Sequence, residues 1–485
     1  MAASGSYASG SLFTVTSKYS APSRRFEVRS GVSDREPNDP SFDLAVIQFD
    51  DDGKYLDPSQ IAAGEECVSA VRTSARNRNG AVVVVFIHGW HHGAHWDRSP
   101  STPPDEPDGD THFHQFRLLL ESLALREAER YLQDPEPSAT TEKVSPGGRR
   151  VIGIYIGWNG DPLSRAAINR IPLLNTLSFG NRYNTAATIA GSTDFHDMLR
   201  RLISSTKQPV ASSSDRDERP RSDSPVIIMG HSLGGLMLES AFLSLLDSSD
   251  PPLYYPRRPA SYTIETRRRN EPISFPDLLL ALNSAANSKI TKRIIHTLND
   301  QNITKTATAE RLRYAPPLLI SATSVADWVT KYVWRLAQGH RFWWKTDGHD
   351  RSIFTHELIW TARRITCQRR DFLDLGQNWH CLRPPSPPDA ATPRIPIDLP
   401  VRERRDQDDD EVPHDRSTLI PLGDMNVAHP AWVFQVPSEL IKDHNDIFNS
   451  RARSLILALI QIAGAVVSVA EDWPRSFEPD DANHP

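Results

Sequence analysis

One stretch constrains this chain more than any other: Pro225-Val226-Ile227-Ile228-Met229-Gly230-His231-Ser232-Leu233-Gly234-Gly235. An apolar, β-branched run ends in Gly-x-Ser-x-Gly and leads directly into Leu236 to Leu243, which reads as helix. A strand that turns sharply around a serine into a helix has the form of a nucleophile elbow. Gly230 and Gly234 carry no side chain to obstruct so tight a turn. The Ser232 hydroxyl then stands at the tip, above a helix N-terminus whose positive end favours developing negative charge. The pentapeptide alone is short and recurs by chance. The strand before it and the helix after it give it predictive weight.

The rest of the chain repeats the alternation. Strands are expected at Asp43 to Phe49, Ala81 to Ile87, Val151 to Gly157, Leu278 to Leu282, Pro317 to Ser321 and Ala431 to Val436. Helices are expected over residues 59–76, 114–132, 186–203, 288–298, 328–336 and 446–470. Several of the strands are apolar throughout, which suits burial on both faces. The fold class is therefore α/β: a mostly parallel central sheet with helices on both faces. Ligands in such sheets sit beyond the carboxyl ends of the strands.

Around this core, residues 1–40 are rich in Ser, Gly, Pro and charge and read as largely disordered. Polar inserts cover about 207–224 and 247–272, and 471–485 reads as a flexible tail. The segment 338–417 is long and irregular and is a candidate cap. Its aromatic group includes Trp343 and Trp344, candidate substrate-binding residues whose alternative role is packing on the flank of the sheet.

Charge and cysteine content exclude several classes. The net charge of -6 offers no broad basic surface, so nucleic acid is not an expected partner. The three cysteines, Cys67, Cys367 and Cys381, form no disulfide framework and no C-x-x-C site. A Cys367–Cys381 bridge and free thiols both fit the spacing. Met1 to Ser20 has no apolar run of the kind that begins a secretory leader, which fits a cytoplasmic protein. Leu455 to Ala470 is apolar but shorter than the ~20 residues of a membrane span, and reads as a buried terminal helix.

A serine nucleophile needs a base, an acid to orient that base, and N–H donors for an oxyanion. Asp327 lies just past the 317–321 strand, at its carboxyl end, and equally suits an N-cap for the following helix. Asp443 adjoins the candidate histidine, and Asp424 precedes the last strand, at the wrong end of the sheet. After the last strand only His444 and His484 remain of 17 histidines, and His444 sits between strand and helix. The turn after Ile87, His88-Gly89-Trp90, suggests the backbone N–H of Trp90 as one oxyanion donor, with that of Leu233 as the other. The group His91, His92, His95, His112 and His114 lacks a clear metal-ligand pattern, so no metal is expected.

Together, Phe86-Ile87-His88-Gly89-Trp90, Tyr155-Ile156-Gly157-Trp158-Asn159-Gly160, Gly230 to Gly235, Asp327 and His444-Asn445-Asp446 resemble the α/β-hydrolase superfamily, on its esterase and lipase side. The resemblance covers about residues 41–470, with gaps at the inserts. It implies an eight-stranded, mostly parallel sheet, ester hydrolysis through an acyl-enzyme, and no cofactor. Trp158 joins the candidate substrate-binding residues. The expected substrate is a small-molecule or lipid ester, with Ser232 as nucleophile, His444 as base and Asp327 as orienting acid. The same residues would serve an acyltransferase or thioesterase, and a non-catalytic scaffold on this fold is the alternative from another class. The sequence leaves the oligomeric state open.

Overall fold

The computed structural model describes residues 13–16, 41–56, 58–76, 80–90, 92, 111–133, 149–160, 172–207, 224–247, 276–286, 318–324, 326–329, 379–383, 395–399, 415–421, 431–436 and 440–462, with single positions between 290 and 298 and at 438. The described strands form one mixed sheet. Its strands are β1 (Phe13–Thr16), β2 (Ser41–Gln48), β3 (Ala81–Ile87), β4 (Arg150–Gly157), β5 (Val226–His231), β6 (Leu278–Leu282), β7 (Leu319–Ser324), β8 (Trp379–Arg383), β9 (Ile395–Leu399), β10 (Asp415–Pro421) and β11 (Ala431–Val436). They lie in the order β1-β2-β4-β3-β5-β6-β7-β11-β8-β10-β9. Every pairing from β2 across to β8 is parallel, while β1, β9 and β10 pair antiparallel at the two edges.

The helices are α1 (Pro58–Arg76), α2 (Thr111–Gln133), α3 (Pro172–Ala190), α4 (Thr193–Lys207), α5 (Leu233–Leu246) and α6 (Ser450–Ile462). β3 shows why its unbroken apolar run is required. Val83, Val85 and Ile87 join one core with side chains of α1, α3, α4 and α5. Val82, Val84 and Phe86 join a second core with side chains of α2 and α6. Alternate residues of a strand point to opposite faces, so a sheet covered on both sides needs apolar residues at every position. The α/β class read from the sequence is what the structure has.

Several boundaries differ from the sequence reading. The helix expected over 186–203 is two helices, α3 and α4, and α3 begins 14 residues earlier, at Pro172. Gly191 and Ser192 separate them: the Ser192 hydroxyl accepts the Phe195 N–H at 3.3 Å and caps α4. The helix expected from Asp446 starts at Ser450 instead. Asn449 sets that start, its Oδ1 accepting the Ala452 N–H at 2.9 Å. Residues 463–470, the rest of that expected helix, lie outside the described residues. Four residues of the N-terminal segment, Phe13–Thr16, form β1. Three short strands, β8, β9 and β10, fall at residues 379–421, mostly within the segment read as irregular, and continue the sheet beyond β11. Each is five to seven residues long, too short for its alternation to stand out between prolines and charges. Among the described residues, no helix is long and apolar enough to cross a membrane.

Candidate active site

The elbow forms where β5 gives way to α5. Ser232 stands between them with φ 54 and ψ -117. A positive φ at a residue with a Cβ is strained and persists only where its surroundings hold it. Here the Ser232 N–H donates to the Leu282 carbonyl on β6 at 3.1 Å. Its own carbonyl accepts the N–H groups of Leu236 at 3.1 Å and Ala285 at 2.9 Å. The turn is thus pinned to the next strand and to its own helix. The glycines have the role expected of them. A Cβ on Gly230 would lie 2.5 Å from the Gly234 carbonyl oxygen, and one on Gly234 would lie 2.1 Å from that of Ile87.

β7 and β11 are parallel neighbours, so the segments after them emerge at one end of the sheet. Asp327 comes three residues after β7, and His444 lies between β11 and α6. Both are buried, as is Ser232. His444 Nδ1 donates to Asp327 Oδ1 at 2.8 Å, and His444 Nε2 accepts from the Ser232 hydroxyl at 2.8 Å. These donor roles follow from the acceptor-only carboxylate, which fixes the imidazole tautomer. A hydroxyl, an imidazole and a carboxylate linked in this sequence can pass the serine proton to the ring as the oxygen attacks. Asp327 Oδ1 also accepts the Val329 N–H at 3.1 Å, so one carboxylate oxygen holds both the ring and the backbone that follows it, while residues 330–336 of the expected helix lie outside the described residues. Asp443, the rival acid, spends its Oδ1 on the N–H groups of Asn445 and Asp446 at 2.8 and 3.0 Å. Asp424 lies outside the described residues.

Leu233 opens α5, so its N–H has no carbonyl one turn back to bond. The turn carrying Trp90 presses on the elbow: a Cβ on Gly89 would lie 2.9 Å from Ser232 Cβ. Trp90 itself is buried, with its indole edge-on to Phe179. His88 Nε2 accepts the Trp158 N–H at 3.0 Å, and the Trp158 indole N–H donates to the His88 carbonyl at 3.0 Å. Their rings stack within 9° of parallel. The structure thus places Trp158 against His88, joining the ends of β3 and β4. Trp343 and Trp344 lie outside the described residues.

Sequence reasoning missed the groups that hold the histidine segment. Four of its carbonyls are gripped by side chains from elsewhere. Ser324 Oγ donates to the Ile441 carbonyl at 2.6 Å. Asn283 Nδ2 donates to the carbonyls of Asp443 at 3.3 Å and His444 at 2.9 Å. His231 Nε2 donates to the His444 carbonyl at 2.8 Å, and His112 Nε2 to that of Asn445 at 3.2 Å. Burial pushes the His231 ring well below the ordinary imidazole value, and the nearby His444, His112 and His92 add to the effect. Their one sequence signal is position: His231, Asn283 and Ser324 each stand at, or next to, the carboxyl end of a strand.

Of the histidine group flagged in the sequence, His92 and His112 stack with ring centroids 3.4 Å apart, and His91 and His95 lie outside the described residues. Among the described residues, no group of three or more His, Cys, Asp or Glu side chains is arranged to hold a metal ion. Comparison with known proteins finds no matching family, no matching curated protein and no matching solved structure.

Proposed function

We propose that this chain is a serine hydrolase of the α/β-hydrolase type that cleaves carboxylic esters through an acyl-enzyme. The observation that carries the reading is the buried hydrogen-bonded chain from Asp327 through His444 to Ser232, with 2.8 Å at each link. The positive φ of Ser232 and the position of all three residues at the carboxyl ends of parallel strands support it.

In this mechanism Ser232 Oγ attacks the acyl carbon while His444 Nε2 takes its proton. The oxyanion accepts hydrogen bonds from the backbone N–H groups of Leu233 and Trp90. His444 then delivers the proton to the leaving alcohol, and Asp327 stabilises the imidazolium while it exists. Water, deprotonated by His444, attacks the acyl-enzyme and returns Ser232 to its free form. No step calls for a cofactor.

Labelling with a fluorophosphonate probe tests the assignment. Peptide mapping is expected to find the label on Ser232, and Ser232→Ala is expected to abolish it. That variant should also lose on the order of 10⁴–10⁶ in kcat against p-nitrophenyl acetate while staying folded. Equal labelling of the alanine variant would refute the reading.

A further inference from the structure

We propose that His231 and Asn283 are positioning residues for His444: together they hold its main-chain carbonyl oxygen and so keep its imidazole between Ser232 and Asp327. The inference rests on the reading of Ser232 as nucleophile and His444 as base.

His444 belongs to neither a strand nor a helix, so no ladder of backbone hydrogen bonds fixes its ring. A base must nevertheless stay within a few tenths of an ångström of its working place, because a 1 Å displacement costs about 100-fold in rate. Two fully buried side chains from two different strand ends converge on its carbonyl, His231 Nε2 at 2.8 Å and Asn283 Nδ2 at 2.9 Å.

Asn283 is tied to every member of the site. It follows Leu282, whose carbonyl receives the Ser232 N–H. Its Oδ1 accepts the Ser324 N–H at 2.9 Å, three residues before Asp327. That bond fixes the orientation of the amide, so the NH₂ end must face His444. The residue also sits at φ 45, a left-handed conformation that asparagine tolerates better than most side chains. The amide therefore ties the carbonyl of the base to the end of the strand that leads to the acid, while the neighbouring Leu282 carbonyl holds the nucleophile.

His231 makes the same point from the other side. Donation from Nε2 leaves Nδ1 as the bare nitrogen of the neutral ring, and that atom is buried with no hydrogen-bond partner among the described residues. An orphaned buried acceptor is costly, and an apolar side chain of similar size would avoid it. What such a side chain would lack is the Nε2–H on the His444 carbonyl. Because burial keeps this ring neutral, it holds the base without placing a cation beside it.

The test uses the full-length protein with His231→Leu, His231→Gln and Asn283→Asp. Three quantities are read: p-nitrophenyl acetate hydrolysis, the rate of fluorophosphonate labelling, and Tm. His231→Leu and Asn283→Asp are expected to lower kcat and the labelling rate together by about 10- to 100-fold, with KM within about twofold of wild type. His231→Gln, whose amide places a donor near the former Nε2, should recover most of that loss. Wild-type kcat in the leucine and aspartate variants overturns the proposal. So does a glutamine variant as slow as the leucine one, or a fall in Tm with unchanged turnover of the folded protein. If His231→Leu fails to fold, Asn283→Asp decides alone, since aspartate tolerates the same backbone and keeps the acceptor for Ser324 while losing the donor. Absence of labelling in the wild-type protein is a different failure: it removes the serine-nucleophile reading and this inference with it.

Discussion

At the scale of single residues, Asp327 shows how one carboxylate serves two ends. Its Oδ1 receives both His444 Nδ1 and the Val329 N–H. Asp327→Asn leaves a single side-chain oxygen, and a turned amide presents a donor where His444 needs an acceptor. The imidazole would then favour the wrong tautomer, and kcat should fall about 10³- to 10⁴-fold with little change in Tm. A stopped assay with p-nitrophenyl acetate beside a thermal melt checks both halves of that statement. Glu239 is a second buried carboxyl, on α5 below the elbow, where Thr291 Oγ1 donates to it. Burial pushes it up to about 7 from an ordinary 4.5. Between those values the folded protein holds a proton that the unfolded chain releases. The group's contribution to stability is thus fully present below 4.5 and is lost as pH rises through about 7. Glu239→Gln is neutral at every pH, so it should raise Tm at about pH 8.5 and leave it nearly unchanged at about pH 4. An equal shift at both pH values would refute the account.

At the scale of elements, the ends decide more than the middles. The apolar residues of α6 fill the core beneath β3 and β5, yet where α6 begins depends on Asn449. Its Oδ1 caps the helix, and its Nδ2 donates to the carbonyls of Leu440 at 2.9 Å and Asp446 at 3.1 Å. Asn449 therefore couples the last helix to the segment that carries His444. Asn449→Ala should cost about 1–2 kcal/mol, read as a lower urea midpoint. It should also reduce turnover, because the histidine segment loses one of its ties. A stability loss with unchanged kcat would confine Asn449 to capping. The pairing of α3 with α4 teaches the same lesson, since Gly191 and Ser192 stop one helix and cap the next within a run that reads as continuous.

At the scale of the whole molecule, two cores on opposite faces of one sheet hold the strand ends in register. Phe86 is central to the second core, with Phe116, Tyr155 and Phe448 ring centroids 5.0–5.7 Å away and His112 at 6.1 Å. Phe86→Ala should destabilise by about 3–5 kcal/mol, and a urea titration followed by tryptophan fluorescence measures it. Much of this architecture was legible in the chain. Hydrophobic runs such as Ala81 to Ile87 report burial on both faces because a strand's period is two, and Gly-x-Ser-x-Gly reports its own tight turn. Topology then singled out Asp327 and His444, since a parallel sheet sends the segments after its strands to one end. The grip of His231, Asn283, Ser324 and His112 on the carbonyls of residues 441–445 was not legible. A main-chain oxygen is the same at every residue, so nothing in the sequence marks which one a distant side chain will reach. Periodicity and turn chemistry are local and act through neighbours in the chain, which is why the sequence alone determined the strands from β2 to β7 and β11, the elbow and the order of the candidate residues, but not the short strands β1, β8, β9 and β10. Those hydrogen bonds join positions 117 to 333 residues apart, and only the packed sheet decided which donors met which carbonyls.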